Sequence, residues 1–298
     1  MNKSSKARFG CFAGIIALAM PVFTPSIVAS QEEQGFDLGK YRIDIAGRQR
    51  MLTQRIAKEI CFIELGYKVD MHHDMLEQDY HLFDEILHVL RDGGGAMDLP
   101  PEEDRRTLEE LEIVFGHWEE FAEEIETIIA SNEVSEEAEE HIIEENLILL
   151  QDMNDTVFLI EQEYANPHTL EMADAVTLNI FARQRMLSQK AAKDFCYVAT
   201  EHHVEEERAD LAETQALFSA SLGAILNGYE PLGIVPPPTE AIEAQLDIVA
   251  GIWAPMETIF KNISGGGVPT AEDIELIAAE NIHLQNEMNK AVQMYVEQ

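Results

Sequence analysis

The stretch GRQRMLTQRIAKEIC, Gly47 to Cys61, returns as ARQRMLSQKAAKDFC, Ala182 to Cys196. Nine of the fifteen positions are identical, and Thr/Ser, Arg/Lys and Glu/Asp exchanges account for three more. The phrase is basic (Arg48, Arg50, Arg55 and Lys58 precede its first acid, Glu59) in a chain whose formal net charge is −36. A constant offset of 135 residues carries the match onward without a gap. Phe83 falls on Phe218, Trp118 on Trp253, Glu145-Asn146 on Glu280-Asn281 and Met153-Asn154 on Met288-Asn289. Chance does not keep one register over so many rare residues, so the chain is a tandem duplication.

Within a copy the apolar spacing is helical. Leu82, Ile86, Val89 and Leu90 recur at i, i+4, i+7 and i+8, and Leu108, Leu111, Phe115, Trp118, Phe121 and Ile125 continue the pattern. No sustained alternation suggests a strand. The spacing predicts helices at about 38–66, 69–91, 102–130 and 135–164, then at 173–201, 204–226, 237–263 and 270–296. Gly-containing breaks (Asp92–Gly95, Asn227–Gly228) and prolines (Pro100-Pro101, Pro236–Pro238) separate the second and third helix of each copy. Short loops imply antiparallel neighbours, hence an all-α fold of two up-down four-helix bundles. The Met and aromatic residues on these faces are read as core. Domain bounds follow: a signal peptide at 1–30, a first bundle at 31–166 and a second at 167–298. An up-down bundle returns its last helix to its starting end. With Pro167 in the connection, two parallel bundles related by a pseudo-two-fold axis are the expected outcome, one chain imitating a homodimer.

The first thirty residues read as an export signal. Lys3, Lys6 and Arg8 precede an apolar run, FGCFAGIIALAM, and Val28-Ala29-Ser30 offers small residues for cleavage. Arg8-Phe9-Gly10 before Cys11 lacks the apolar residue that a lipoprotein site requires. The expectation is a periplasmic or secreted chain without stable membrane insertion, the alternative being an uncleaved N-terminal anchor. Loss of the three cations takes the charge to −39, which excludes nucleic acid and anionic membrane surfaces as general partners. Cys61 and Cys196 then remain, two thiols that an oxidising compartment allows to pair.

Counted at about 100° per residue, Ala46, Gly47, Gln54, Ala57 and Cys61 lie within about 60° of Arg50. Phe181, Ala182, Gln189, Ala192 and Cys196 surround Arg185 in the same way. This face of arginine, glutamine and small residues lets another helix approach closely while leaving a polar pocket. Ten of the seventeen basic residues after residue 30 lie in Lys40–Lys58 or Arg183–Lys193. Either they pair with glutamates of adjacent helices, or they converge on an anion.

The phrases IDIAGRQRMLTQRIAK and LNIFARQRMLSQKAAK resemble the signature helix of the PilJ-type domain, the N-terminal sensor domain of type IV pili methyl-accepting chemotaxis transducers. That domain is related to the periplasmic domains of nitrate/nitrite sensor kinases. The resemblance covers both copies and implies four-helix bundles that bind small oxyanions such as nitrate or nitrite at a dimer interface. It further implies that Arg50 and Arg185 hold the anion, assisted by backbone near Gly47. The second copy departs from the pattern with Ala182, and Lys190 replaces the second motif arginine, Arg55. Gln54, Gln189, Thr53 and Ser188 could add or orient donors, and Arg48, Arg55, Arg183 and Lys190 form a secondary basic set. If Arg50 and Arg185 face each other, Cys61 and Cys196 face each other about three turns further along, where the choice is a disulfide or two buried thiols. A transmembrane chemoreceptor or sensor kinase is the implied receiving partner, because no transmembrane helix or kinase is read within residues 31–298.

Two other readings stand beside this one. His72, His73, His81 and His88, with Met71, Met75 and Glu77, form a possible copper or zinc set, although the second copy lacks those histidines. The remaining reading is a protein-interaction module with a vestigial ligand site. No nucleophile elbow, phosphate-binding glycine loop or triad is recognisable, so the chain reads as a non-enzyme without a cofactor.

Overall fold

The quoted phrase lies in the first helix of each copy, and these two helices form the centre of the structure. The computed structural model describes residues 38–96, 98–164 and 172–296. The first copy comprises α1 (Leu38–Glu64), α2 (Val69–Asp92), α3 (Arg105–Ser131) and α4 (Glu136–Tyr164). The second comprises α5 (Met172–Ala199), α6 (Val204–Asn227), α7 (Glu240–Ser264) and α8 (Ala271–Val296). Among the described residues no strand forms. The signal segment expected at 1–30 and the junction at 166/167, with Pro167, lie outside the described residues.

The third helix of each copy starts three residues later than its periodicity predicts. In the second copy Pro238 drives Pro237 out of the helical region, while in the first Glu102 Oε1 accepts from the Glu103 and Asp104 amides ahead of the helix, at 2.8 Å each. Asp104 and Thr239 then cap the two helices, accepting hydrogen bonds from the Thr107 and Ile242 amides at 3.0 and 3.3 Å. The glycine breaks before them are equally specific. Gly93 and Gly228, 135 positions apart, have φ of 80° and 76°. A Cβ on Gly93 would lie 2.5 Å from the Leu99 carbonyl oxygen, and one on Gly228 would lie 2.9 Å from Pro236. Only glycine suits either place.

The bundle cores repeat as well. Phe83 packs on Trp118 at 4.2 Å between ring centroids, and Phe218 on Trp253 at 3.9 Å. Each indole N–H is satisfied by the residue following that phenylalanine, Asp84 at 3.1 Å and Ser219 at 2.9 Å. Burying such rings contributes about 1.5–3 kcal/mol each. Arg42 ties α1 to the α2–α3 loop. It is almost wholly buried and donates to the carbonyls of Leu90 and Pro100 and to Glu102, with Tyr164 stacked beneath its guanidinium.

α1 packs against α2, α4 and α5, and α5 against α6, α8 and α1, so the two copies meet along the α1–α5 seam. From Arg42 to Ile63, only Asp44, Arg48 and Arg55 of α1 escape full burial. Contacts across the seam join nearly equal repeat positions: Arg185 to Asp44, Arg50 to Asn179, Lys58 to Gln189. The two helices therefore run parallel and in register, and the duplication folds as a pseudo-symmetric pair. Cys61 and Cys196 close the seam as a disulfide, with Cα atoms 6.2 Å apart and a sequence separation of 135 residues.

A cross-link over so long a loop restricts the unfolded chain strongly. Cys61→Ser with Cys196→Ser is expected to lower stability by about 2–5 kcal/mol in urea melts. In the native chain neither thiol should be alkylated before reduction.

Candidate functional site

Each residue of the repeated phrase has a separate task, set by its direction on the helix. Gln49 and Gln184 reach sideways to the backbone carbonyls of Phe83 and Phe218, at 2.8 and 3.2 Å, and hold the first helix of each copy to its second. Met51, Leu52, Met186 and Leu187 enter the cores. Thr53 and Ser188 turn back to the carbonyls of Arg50 and Arg185, at 3.0 and 2.7 Å. Gln54 donates to Asn146 of α4, and Asn281 of α8 donates to the Ser188 carbonyl at 2.8 Å. These polar atoms serve the frame.

Arg50 and Arg185 point into the seam. They are 4% and 2% exposed, which leaves them little access to water. They converge over Gly47, because the point where a Gly47 Cβ would lie is 3.4 Å from Arg50 Nη2 and 3.9 Å from Arg185 Nη2. The same point is 3.2 Å from the Cβ of Ala182. Gly47 and Ala182 thus face each other, and the seam comfortably holds one methyl group there. The departure from glycine in the second copy is accommodated by the glycine retained in the first.

The partners of the two arginines are repeat equivalents that differ in charge. Arg185 Nη2 donates to Asp44 at 2.8 Å, whereas Arg50 Nη2 donates to the side-chain oxygen of Asn179 at 3.3 Å. Asn179 in turn donates to Glu161 of α4 at 2.8 Å. The Nε–H of each arginine is buried without a hydrogen-bond partner among the described residues. A buried, unpaired donor costs about 1–3 kcal/mol. Burial is the main cause that lowers the Arg50 pKa to about 10. Nearby Glu161 opposes that shift, while Arg183 and Arg185 add to it. Arg50 still carries its proton at neutral pH, so the seam holds two guanidinium cations with donors to spare.

A second polar layer lies one to two turns further along. Lys58 is buried, crosses the seam to Gln189 at 2.8 Å and to Asn281 at 2.9 Å, and pairs with Glu59 at 3.0 Å. Burial holds Lys58 below its ordinary pKa. Burial also pushes Glu59 up, but Lys58 and His72 outweigh it and leave the carboxyl below the usual range. Its counterpart Lys193 stays in its own copy, 3.2 Å from Asp194 and over the Tyr197 ring. The pseudo-symmetry fails here, and Gln189 faces Lys58 where Gln54 faces Asn146.

The secondary basic set does not join the arginine pair. Arg55 forms a two-pronged pair with Asp79 of α2, and Lys190 lies between Asp194 and Asp210 at 3.0 and 2.8 Å. Arg48 is half-exposed and pairs loosely with Asp44 at 3.6 Å, while Arg183 is exposed. The four histidines separate as well. His72 meets Glu59 and stacks on Phe62, and His73 meets the Ile129 carbonyl at 3.1 Å. His81 lies beside Tyr80, and His88 bonds the Asp84 carbonyl. Among the described residues, Cys61, Glu64 and Glu139 lie close enough together to suggest a metal site. Its sulfur is consumed by the disulfide, and His202 already contacts both carboxylates at 3.1 and 2.8 Å.

Sequence reasoning did not single out Asp44, Asn179 and Glu161. The signal existed, since the 135-residue offset pairs Asp44 with Asn179, one helical turn before residues 48 and 183. In comparisons with known proteins, the family model described as PilJ, type IV pili methyl-accepting chemotaxis transducer N-term, matches residues 40–141 and 171–273. No curated protein matches the chain.

Where the first copy has His72 beside Glu59, the second has Glu207 near Asp194, Lys193, Lys190 and Asp210. Burial raises the Glu207 pKa to about 7. The folded chain binds this proton more tightly than the unfolded one, so the side chain's contribution worsens as pH rises from about 4.5 to about 7. Glu207→Gln is therefore expected to gain stability over the native chain across that window, by up to about 3 kcal/mol at pH 8. Urea melts at pH 4, 6 and 8 check this, since the gain should shrink as pH falls.

Proposed function

Because this chain belongs to the PilJ family, its two matched regions spanning more than half its length, we propose that it binds one small oxyanion at the α1–α5 seam. The observation that carries the reading is the convergence of Arg50 and Arg185 over Gly47, both buried and both with an Nε–H that no atom of the described residues accepts. A planar guanidinium donates two parallel hydrogen bonds to a planar oxyanion, and one from each side would clamp it. Nitrate and nitrite fit that geometry and charge. The chain's overall acidity does not forbid them, since salt screens distant charges beyond about 8–10 Å.

In this reading the chain is a non-catalytic sensor that acts outside the cytoplasm. It passes anion occupancy to a transmembrane chemoreceptor or sensor kinase. The family's description as the N-terminal part of a chemotaxis transducer supports such a partner. None of the described helices is long and apolar enough to cross a membrane. Parallel packing of α1 and α5 offers a route for the signal. An anion drawn between the arginines alters the seam, and the disulfide carries the change to the far end of both helices.

One contact favours a second reading, an interaction module whose anion site is spent. Asp44 already neutralises Arg185 from within the chain. The two readings separate by calorimetry with sodium nitrate and sodium nitrite. If an anion binds, Arg50→Ala and Arg185→Ala should each weaken binding by about 10–100-fold, the loss of a charged hydrogen-bonding pair. Asp44→Asn, which copies the Asn179 side of the site, should strengthen it severalfold. No anion-dependent heat and no shift in melting temperature for the native chain and Asp44→Asn would leave the interaction module standing.

A further inference from the structure

The second copy holds a pocket that the anion site does not use. It has a volume of about 470 Å³ and lies between α5, α6 and the loop that follows α6. Leu187, Leu217, Tyr229 and Leu232 supply apolar walls, and Arg183 is the charged residue of the lining. Leu217, Tyr229 and Leu232 are 48%, 49% and 60% exposed, so this apolar surface is open to solvent. Pockets of this size that are mostly apolar, with one or two polar groups at an edge, suit small organic ligands.

The duplication shows how the pocket arises. On α6 its floor is Ala220, Ser221 and Ala224, and the equivalent places on α2 carry Glu85, Ile86 and Val89. In the first copy the Val89 methyls lie 3.2 Å from the point where a Gly95 Cβ would sit, so helix and loop meet directly. Smaller side chains in the second copy withdraw that contact and leave space. The rim changes in parallel. Arg48 has Asp44 one turn earlier on its own helix, at 3.6 Å, whereas Arg183 has Asn179 in that place. Asn179 donates to Glu161, whose carboxyl burial pushes up against the downward pull of Arg50 and Arg183. The cation at the rim thereby loses its carboxylate on the same helix while the apolar floor opens beneath it.

We propose that this pocket binds a small amphipathic carboxylate, with its apolar body on Ala220, Ser221 and Ala224 and its carboxylate on Arg183. The site is separate from the arginine pair in the seam, and the two ligands differ in kind. Burial of an aliphatic chain supplies most of the affinity. The exposed guanidinium supplies selectivity for an acid over a neutral molecule of equal length.

Octanoate and 1-octanol serve as probes on the full chain, by calorimetry at low salt and by methyl NMR. Octanoate is expected to bind saturably at one site, at least fivefold more tightly than 1-octanol, and to shift the Ala220 and Ala224 methyl signals. Arg183→Gln should remove the preference for the acid while leaving octanol binding unchanged. Ser221→Ile with Ala224→Val restores the two apolar side chains of the first copy's floor. It should weaken both probes tenfold or more without altering the nitrate response. No saturable octanoate binding, equal binding by the filled variant, or shifts confined to other methyls would overturn the proposal. Should the filled variant lose its helical circular dichroism, the methyl shifts of the native chain decide the matter alone.

Discussion

Everything in this protein depends on two polar helices lying against each other out of water. α1 and α5 are covered by other helices, yet their shared face carries arginines, lysines and glutamines. Burying such groups is unfavourable unless each finds a partner, and a lone buried cation is worse still. The seam meets this demand in layers. Small residues at Gly47 and Ala182 bring the backbones together. Asp44 and Asn179 accept from the first pair of cations, and Gln189 and Asn281 accept from Lys58. The disulfide closes the far end. Among the buried groups that remain unmet are the Nε–H groups of Arg50 and Arg185 and the Oε1 of Gln54.

Duplication within one chain changes what such a seam can become. Two identical subunits must present identical residues to their common axis. A tandem chain is free of that constraint, and its two halves have diverged where they meet. Asp44 opposes Asn179, Gly47 opposes Ala182, and Lys58 crosses the seam while Lys193 stays home. The apolar cores kept their pairing, Phe83 on Trp118 and Phe218 on Trp253. Divergence also reaches the pocket beside Arg183, where Ala220, Ser221 and Ala224 stand at the places of Glu85, Ile86 and Val89.

Much of the fold was legible in the sequence because its signals are periodic and repeated. Apolar spacing located the helices to within a few residues, and the offset of 135 tied one bundle to the other. The helix starts at Arg105 and Arg50's direction into the seam illustrate two kinds of success and failure. Capping chemistry, which acts locally, moved the start of α3 past its apolar period. Helical angles placed Arg50 on a face of glutamine and small residues, and the resemblance turned that face toward the other copy. Its partner followed from neither, because Asn179 lies on the other copy. Arg55 shows the limit most plainly. It belongs to the same basic phrase, yet its face of α1 turns to Asp79 on α2. Charge composition counts such residues together, whereas helix geometry assigns them to different neighbours.

The central claim is that two arginines from two halves of one chain act as a single site. A double-mutant cycle for nitrate binding tests it most directly, using Arg50→Ala, Arg185→Ala and the double variant in calorimetry. One anion clamped by both side chains predicts one nitrate per chain and strong non-additivity, with either single substitution costing nearly as much as both. Two anions per chain, or losses that simply add, would contradict it.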